Sequence, residues 1–239
     1  MTNNPTYFDL LEACAQPGCP ACRLEQRYVE HYLDHLLYEN VNDSDLRDIL
    51  RLSLGFCHEH AWLAVNQRLG DALGFAIIYQ DVFGAVLERL DKDVPPPTRR
   101  WAGLFKRIPA EVGSMVYKAV FALTPQKRCP ACQNRDEMLS MIVGSLVENL
   151  GKQEMVDALQ VSDGLSIPHL QLALKDVRDV VSCEKLIAIH REKLEALCAD
   201  LAELIRKNDY RFMKEGFGPE GNSWLRAITF AVGNNKKKG

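Results

Sequence analysis

Two short patterns, each written twice, limit what this chain can fold into. Cys19-Pro20-Ala21-Cys22 is answered later by Gly55-Phe56-Cys57-His58-Glu59-His60, and Cys129-Pro130-Ala131-Cys132 repeats the first pattern letter for letter. Gly164-Leu165-Ser166-Ile167-Pro168-His169 repeats the second with serine in the place of Cys57. The shift between copies is 110 residues from Cys19 to Cys129 and 109 from His60 to His169. Leu36-Leu37-Tyr38-Glu39-Asn40 and Ser145-Leu146-Val147-Glu148-Asn149 extend the likeness beyond the motifs. A period of this size is a domain-scale duplication, not a solenoid of short repeats.

Two thiols at Cys-x-x-Cys spacing with a third thiol and an imidazole at Cys-x-x-His make four ligands, the number a closed tetrahedral zinc site takes. The order along the chain predicts one complete site from Cys19, Cys22, Cys57 and His60. A second, from Cys129, Cys132 and His169, is a ligand short because Ser166 replaces the thiol. Thiolates at helix starts also gain from the positive end of the dipole. His58 reads as a surface residue. For the second site three readings compete: three protein ligands and a water, as catalytic zinc is built; an eroded site without metal; or a weakly bound metal that Ser166 does not touch. Erosion or weak structural binding is favoured over catalysis, since no carboxylate base stands beside it; Glu137 and Asp163 are the nearest candidates.

The alternative cofactor is an iron–sulfur cluster, because Cys14-x4-Cys19-x2-Cys22 with a distant Cys57 reproduces one two-iron thiolate spacing. Against it, Thr124 matches Cys14 in the second copy, which places Cys14 outside the duplicated scheme. A thiol–disulfide oxidoreductase ranks below both metals, as no strand precedes either Cys-x-x-Cys. Cys183 and Cys198 fall 14 and 29 residues past His169, roughly 20 Å and 40 Å along a helix, too far to join that site.

Composition narrows the setting. The chain has 239 residues, 47% hydrophobic and 26% charged, with a formal charge of −3, which gives no general attraction to nucleic acid. Met1-Thr2-Asn3-Asn4-Pro5 has no basic region followed by an apolar one, so no secretory leader is expected and the eight cysteines point to metal or redox chemistry in the cytoplasm. The longest weakly polar run, 112–123, is broken by Lys118 and is too short to span a bilayer.

Apolar residues recur at three and four almost throughout, which predicts an all-α fold of two pseudo-repeated helical halves. Helices are expected over 6–13, from Cys22 to about Tyr38, and from about 44 to Gly55. A long helix follows, whose stripe runs Trp62, Val65, Leu69, Ala72, Ala76, Tyr79, Phe83, Val86 and Leu90. Gly70, Gly74 and Gly84 weaken that helix, and close helix approach would explain them. The second half is expected to repeat the order with helices 133–150 and 152–160 and a long helix from Leu170 to about Lys207. The resulting domains are 1–94 with the complete site, a linker 95–128 opened by Pro95-Pro96-Pro97, 129–207 with the serine-containing site, and a tail 208–239 with a last helix over 223–232. In the linker, Arg99, Arg100, Lys106 and Arg107 surround Trp101, Leu104 and Phe105; a helix packed on the bundle is preferred there over a membrane or nucleic-acid contact. Lys236, Lys237 and Lys238 read as a solvated terminus.

Several residues together resemble an uncharacterised prokaryotic family: Tyr7-Phe8-Asp9-Leu10-Leu11-Glu12, Cys19-Pro20-x-Cys22, Gly55-Phe56-Cys57-x-x-His60-Ala61-Trp62, Cys129-Pro130-x-Cys132, Gly164-Leu165-x-x-Pro168-His169-Leu170 and Asp209-Tyr210-Arg211-Phe212. The resemblance covers nearly the whole chain. It implies paired sites with cysteine where this chain has Ser166, and it implies no activity. The functional expectation is a non-enzymatic zinc-binding scaffold or adaptor that acts through a protein partner, with no specific nucleic-acid partner. The alternative is a redox or metal-dependent enzyme using an iron–sulfur cluster or the open second site. The sequence carries no signal for an oligomeric state.

Overall fold

Helix signals at this density leave little room for strands, and none occurs among the described residues of the computed structural model, which are 5–92 and 109–235. The elements are α1 (Pro5–Cys14), α2 (Pro20–Tyr38), α3 (Ser44–Ser53), α4 (His58–Gln67), α5 (Ala72–Asp91), α6 (Ala110–Ala122), α7 (Pro130–Glu148), α8 (Gln153–Val161), α9 (Ile167–Asp176), α10 (Val180–Lys207) and α11 (Ser223–Val232). Two 3-10 turns, Met213–Glu215 and Pro219–Asn222, lie between α10 and α11. The fold is all-α, and no described helix is long and apolar enough to cross a membrane.

The chain divides into two compact units, one of Met1–Tyr28 with Asp136–Gly239 and one of Val29–Arg135. The cuts fall inside α2 and α7 rather than at the proline run. That run and the basic aromatic stretch 99–107 lie outside the described residues, as do Lys236, Lys237 and Lys238. In the discontinuous unit, Leu10 of α1 and Leu24 of α2 are buried with Ile142 and Leu146 of α7 and Leu159 of α8. In the other, Leu33, Leu36 and Leu37 of α2 are buried with Leu50 of α3 and with Ile78 and Val82 of α5. Each such side chain contributes about 1.5–3 kcal/mol by leaving water.

Each long helix expected after a histidine is instead two helices. Arg68 closes α4 in the left-handed region at φ 56°, and Asp71 opens α5 by accepting from the Gly74 amide at 2.6 Å. In the other unit, Val177 closes α9 and Asp179 opens α10 by accepting from the Ser182 amide at 2.8 Å. An aspartate at the N-cap satisfies donors that a continuing helix would leave for its own carbonyls, so the break is a capped one. The break also rephases the apolar stripe. α5 buries Gly74, Ile78 and Val82, while Trp62, Val65 and Phe83 of the expected seam are exposed.

Close approach accounts for two of the three glycines. A Cβ on Gly70, at φ +64°, would lie 2.3 Å from the Leu37 Cβ, and one on Gly74 would lie 2.4 Å from the Leu37 carbonyl oxygen, whereas Gly84 has open space. Alanine at 74 therefore clashes with backbone although it gains about 1 kcal/mol of helix propensity. Gly74→Ala is expected to destabilise the protein by about 1–3 kcal/mol net, read as a lowered denaturation midpoint, while Gly84→Ala raises it.

Candidate metal centres

Glycine begins each histidine-bearing motif because the chain curls there through positive φ. Gly55 has φ +85° and Gly164 has φ +82°. A Cβ at Gly55 would meet the Tyr79 ring at 2.9 Å, and one at Gly164 the Lys193 side chain at 2.7 Å. The next residue, Phe56 or Leu165, is buried, and the amide of Leu165 is held from another helix. The Leu165 N–H bonds to His190 Nε2 at 2.9 Å. The third residue then stands at a helix N-cap: Cys57 for α4 and Ser166 for α9. A histidine three residues on shares its face.

The structure gathers all seven sequence-predicted ligands into two clusters, but not in the expected grouping. Cys57 and His60 meet Cys129 and Cys132, and Cys19 and Cys22 meet His169. Each Cys-x-x-Cys is thus completed by the histidine motif of the other half. Helix lengths supply the reason. α2 has 19 residues and α3 has 10, about 28 Å and 15 Å at 1.5 Å per residue. A helix of 10 residues cannot retrace one of 19, and Leu54 and Gly55, both at positive φ, curl the connection to Cys57 instead of extending it. The second half has the same arithmetic, with 19 residues in α7 and 9 in α8.

At the four-ligand centre, His60 Nδ1 lies 3.2 Å from Cys57 Sγ, 3.3 Å from Cys132 Sγ and 3.8 Å from Cys129 Sγ, and the Cys57 and Cys132 sulfurs are 3.5 Å apart. A tetrahedral zinc with sulfur at about 2.3 Å and nitrogen at about 2.0 Å has edges of about 3.5–3.8 Å, so the donors already stand near its corners. A disulfide would bring two sulfurs to about 2.05 Å, and all eight cysteines are free. Burial, then the neighbouring Cys57 and Cys129, pushes the Cys132 thiol up to about 12; burial raises Cys129 as well. Crowded, buried thiols resist ionising together until a cation supplies the missing charge.

At the other centre, His169 Nδ1 lies 3.4 Å from Cys19 Sγ and 3.2 Å from Cys22 Sγ. Ser166 completes the fourth corner, with Oγ 3.0 Å from His169 Nδ1 and 3.6 Å from Cys22 Sγ. A serine at an N-cap ordinarily accepts from an amide of the first turn, yet Ser166 makes no cap bond; its hydroxyl is turned to the cluster. Behind the ring, Glu25 Oε2 lies 3.2 Å from His169 Nε2, the carboxylate–histidine arrangement that orients a metal-ligating imidazole. Sequence reasoning missed Glu25, although its place three residues after Cys22 put both on one helix face. Asp163 accepts from the Gly18 amide at 2.6 Å, and Glu137 is exposed. His58 is exposed and faces the Trp62 ring, while Cys14 is buried in the core. The iron–sulfur set is not assembled, since Cys57 joins the other cluster and Cys14 joins neither.

Burial would raise Cys19, but hydrogen bonds from Cys22 and from Ser166 outweigh it and bring that thiol down to about 6. Its hydrogen bond to Cys19, and then burial, push Cys22 up to about 12. Burial disfavours the imidazolium of His169, but Cys22 and Glu25 hold it up to about 9. Cys22 and His169 therefore each keep a proton at neutral pH and must lose it to bind an ion. Zinc affinity of this centre is expected to fall about a hundredfold per pH unit from 8 to 6, and more steeply below about 6 as Cys19 also takes up a proton. Competition with a zinc indicator across that range checks it.

The sequence profile of a family described as "Family of unknown function (DUF6062)" matches residues 7–238. Among curated proteins, an uncharacterised 23.9 kDa protein in the xynA 3′ region of Caldicellulosiruptor sp. (strain Rt8B.4) is 23% identical over 226 residues, which cover 94% of this chain and 99% of that protein. No solved structure matches the chain.

Proposed function

The chain belongs to the Family of unknown function (DUF6062), which assigns no activity, and from the two centres we propose that it is a zinc protein whose ions are structural staples. In this reading it is a scaffold or adaptor in the cytoplasm that acts through a protein partner. The observation that carries it is the four-ligand centre, where three sulfurs and one imidazole nitrogen occupy all the corners an ion offers and leave no position for a substrate. The second centre supports the same reading, because Ser166 stands at the fourth corner and is 1% exposed. With both centres closed, the surface is where the protein meets another molecule. Unpaired, reduced cysteines at metal-ligand spacing fit a reducing compartment.

Metal analysis of anaerobically purified protein tests this. Two zinc ions per chain and a colourless solution are the expected result; folded protein without metal would sink it. Ser166→Cys supplies a thiolate for a neutral hydroxyl and should tighten the second centre at least tenfold in chelator competition. A second reading, a metal-dependent or redox enzyme, draws on the weak donor Ser166, which a substrate would have to displace; in that case Ser166→Cys abolishes turnover.

A further inference from the structure

We propose that Gly233 and Asn234, the residues that follow α11, form a clasp that sets how tightly the Cys19, Cys22 and His169 centre holds its ion. The proposal rests on the metal reading above and adds residues that no motif marks. α2 begins at Pro20, so Cys19 stands at its N-terminus, where the helix has no acceptor for its amide. Asn234 Oδ1 accepts it at 2.8 Å. Asn234 Nδ2 donates back to the Cys19 carbonyl oxygen at 3.2 Å, and the Asn234 backbone N–H donates to Cys22 Sγ at 3.4 Å. One residue, 215 positions from Cys19, thus fixes both ends of the Cys-x-x-Cys.

Two glycines make this approach possible. A Cβ at Gly18, φ +87°, would lie 2.6 Å from Asn234 Oδ1. A Cβ at Gly233, φ +100°, would lie 2.9 Å from Cys22 Sγ and 3.9 Å from Ser166 Oγ, so any larger residue at 233 would press on the ligands. The clasp has a firm anchor. Ser223 and Phe230 of α11 are buried, and the Phe230 ring faces His190 at 6.4 Å, the same histidine that holds the Leu165 amide beside Ser166. An N–H···S bond stabilises a thiolate over its thiol and presets its direction, as outer partners do for metal ligands generally.

The test uses the full chain, Asn234→Ala, and a chain ending at Val232, each loaded with zinc and mixed with excess chromophoric chelator. Wild type should release two ions, and Cys19→Ser identifies the phase of this centre by removing it. Asn234→Ala should speed that phase about ten- to hundredfold, and the truncation, which also removes the N–H···S bond, more. The phase of the other centre stays at its wild-type rate. In cobalt-substituted protein the truncation should shift the sulfur-to-metal absorption. Equal release from all three chains, or equal acceleration of both phases, overturns the clasp while two bound ions in wild type preserve the metal reading. A wild-type chain that takes up no ion overturns both.

Discussion

Serine at Cys57 and serine at Cys129 should each remove the same zinc ion, and the double substitution should remove no more than either alone. The two residues are 72 apart in sequence and belong to different copies of the motif, yet their side chains converge on His60. Cys19→Ser should remove the other ion and leave this one. The pair Cys19→Ser with Cys57→Ser should then leave none, whereas ligands grouped by their order along the chain would leave one. Counting zinc in the three singles and two doubles decides the matter. One ion remaining in the Cys19→Ser, Cys57→Ser protein would sink the crossed arrangement.

Stripping both ions with a strong chelator should lower the melting temperature by about 20–35 °C. Cys22 and Ser166 are 144 residues apart, and His60 and Cys129 are 69 apart. By the chain-entropy argument for cross-links, holding such loops closed contributes about 5 and about 4 kcal/mol, and in a chain of this size each kcal/mol is worth roughly 2–4 °C. The larger loss should fall on the unit built from Met1–Tyr28 and Asp136–Gly239, whose two segments its centre ties together. Far-ultraviolet circular dichroism during heating, with zinc and with chelator, checks it, and Cys19→Ser should reproduce the larger share without chelator. A chelated, zinc-free protein that melts where the loaded one does would overturn the staple role.

Local signals were read well from the sequence because they depend on near neighbours. Period and caps place α1, α2, α3, α7 and α8 within a few residues, and α11 (Ser223–Val232) falls on the expected span, whereas α6 (Ala110–Ala122) lies in the stretch read as linker. The breaks at Arg68 and Val177 escape the sequence reading, although Asp71 and Asp179 carry the signal; an apolar stripe, unbroken in the first half and interrupted by Glu184 and Arg191 in the second, outweighs a cap whose bond to an amide is a matter of backbone geometry. Glu25, Gly233 and Asn234 carried still less, since nothing local distinguishes an asparagine after a last helix from any other.

By itself the sequence determined the helical class, the seven candidate ligands and the odd serine, because thiols and imidazoles three positions apart face one way from a helix start whatever surrounds them. Only the tertiary structure decided which pair meets which. That choice depends on the lengths of α2 and α7 against those of α3 and α8, and on core contacts between segments more than a hundred residues apart. Short-range geometry is written in adjacent residues; the partner of each ligand pair is set by where the packed helices end.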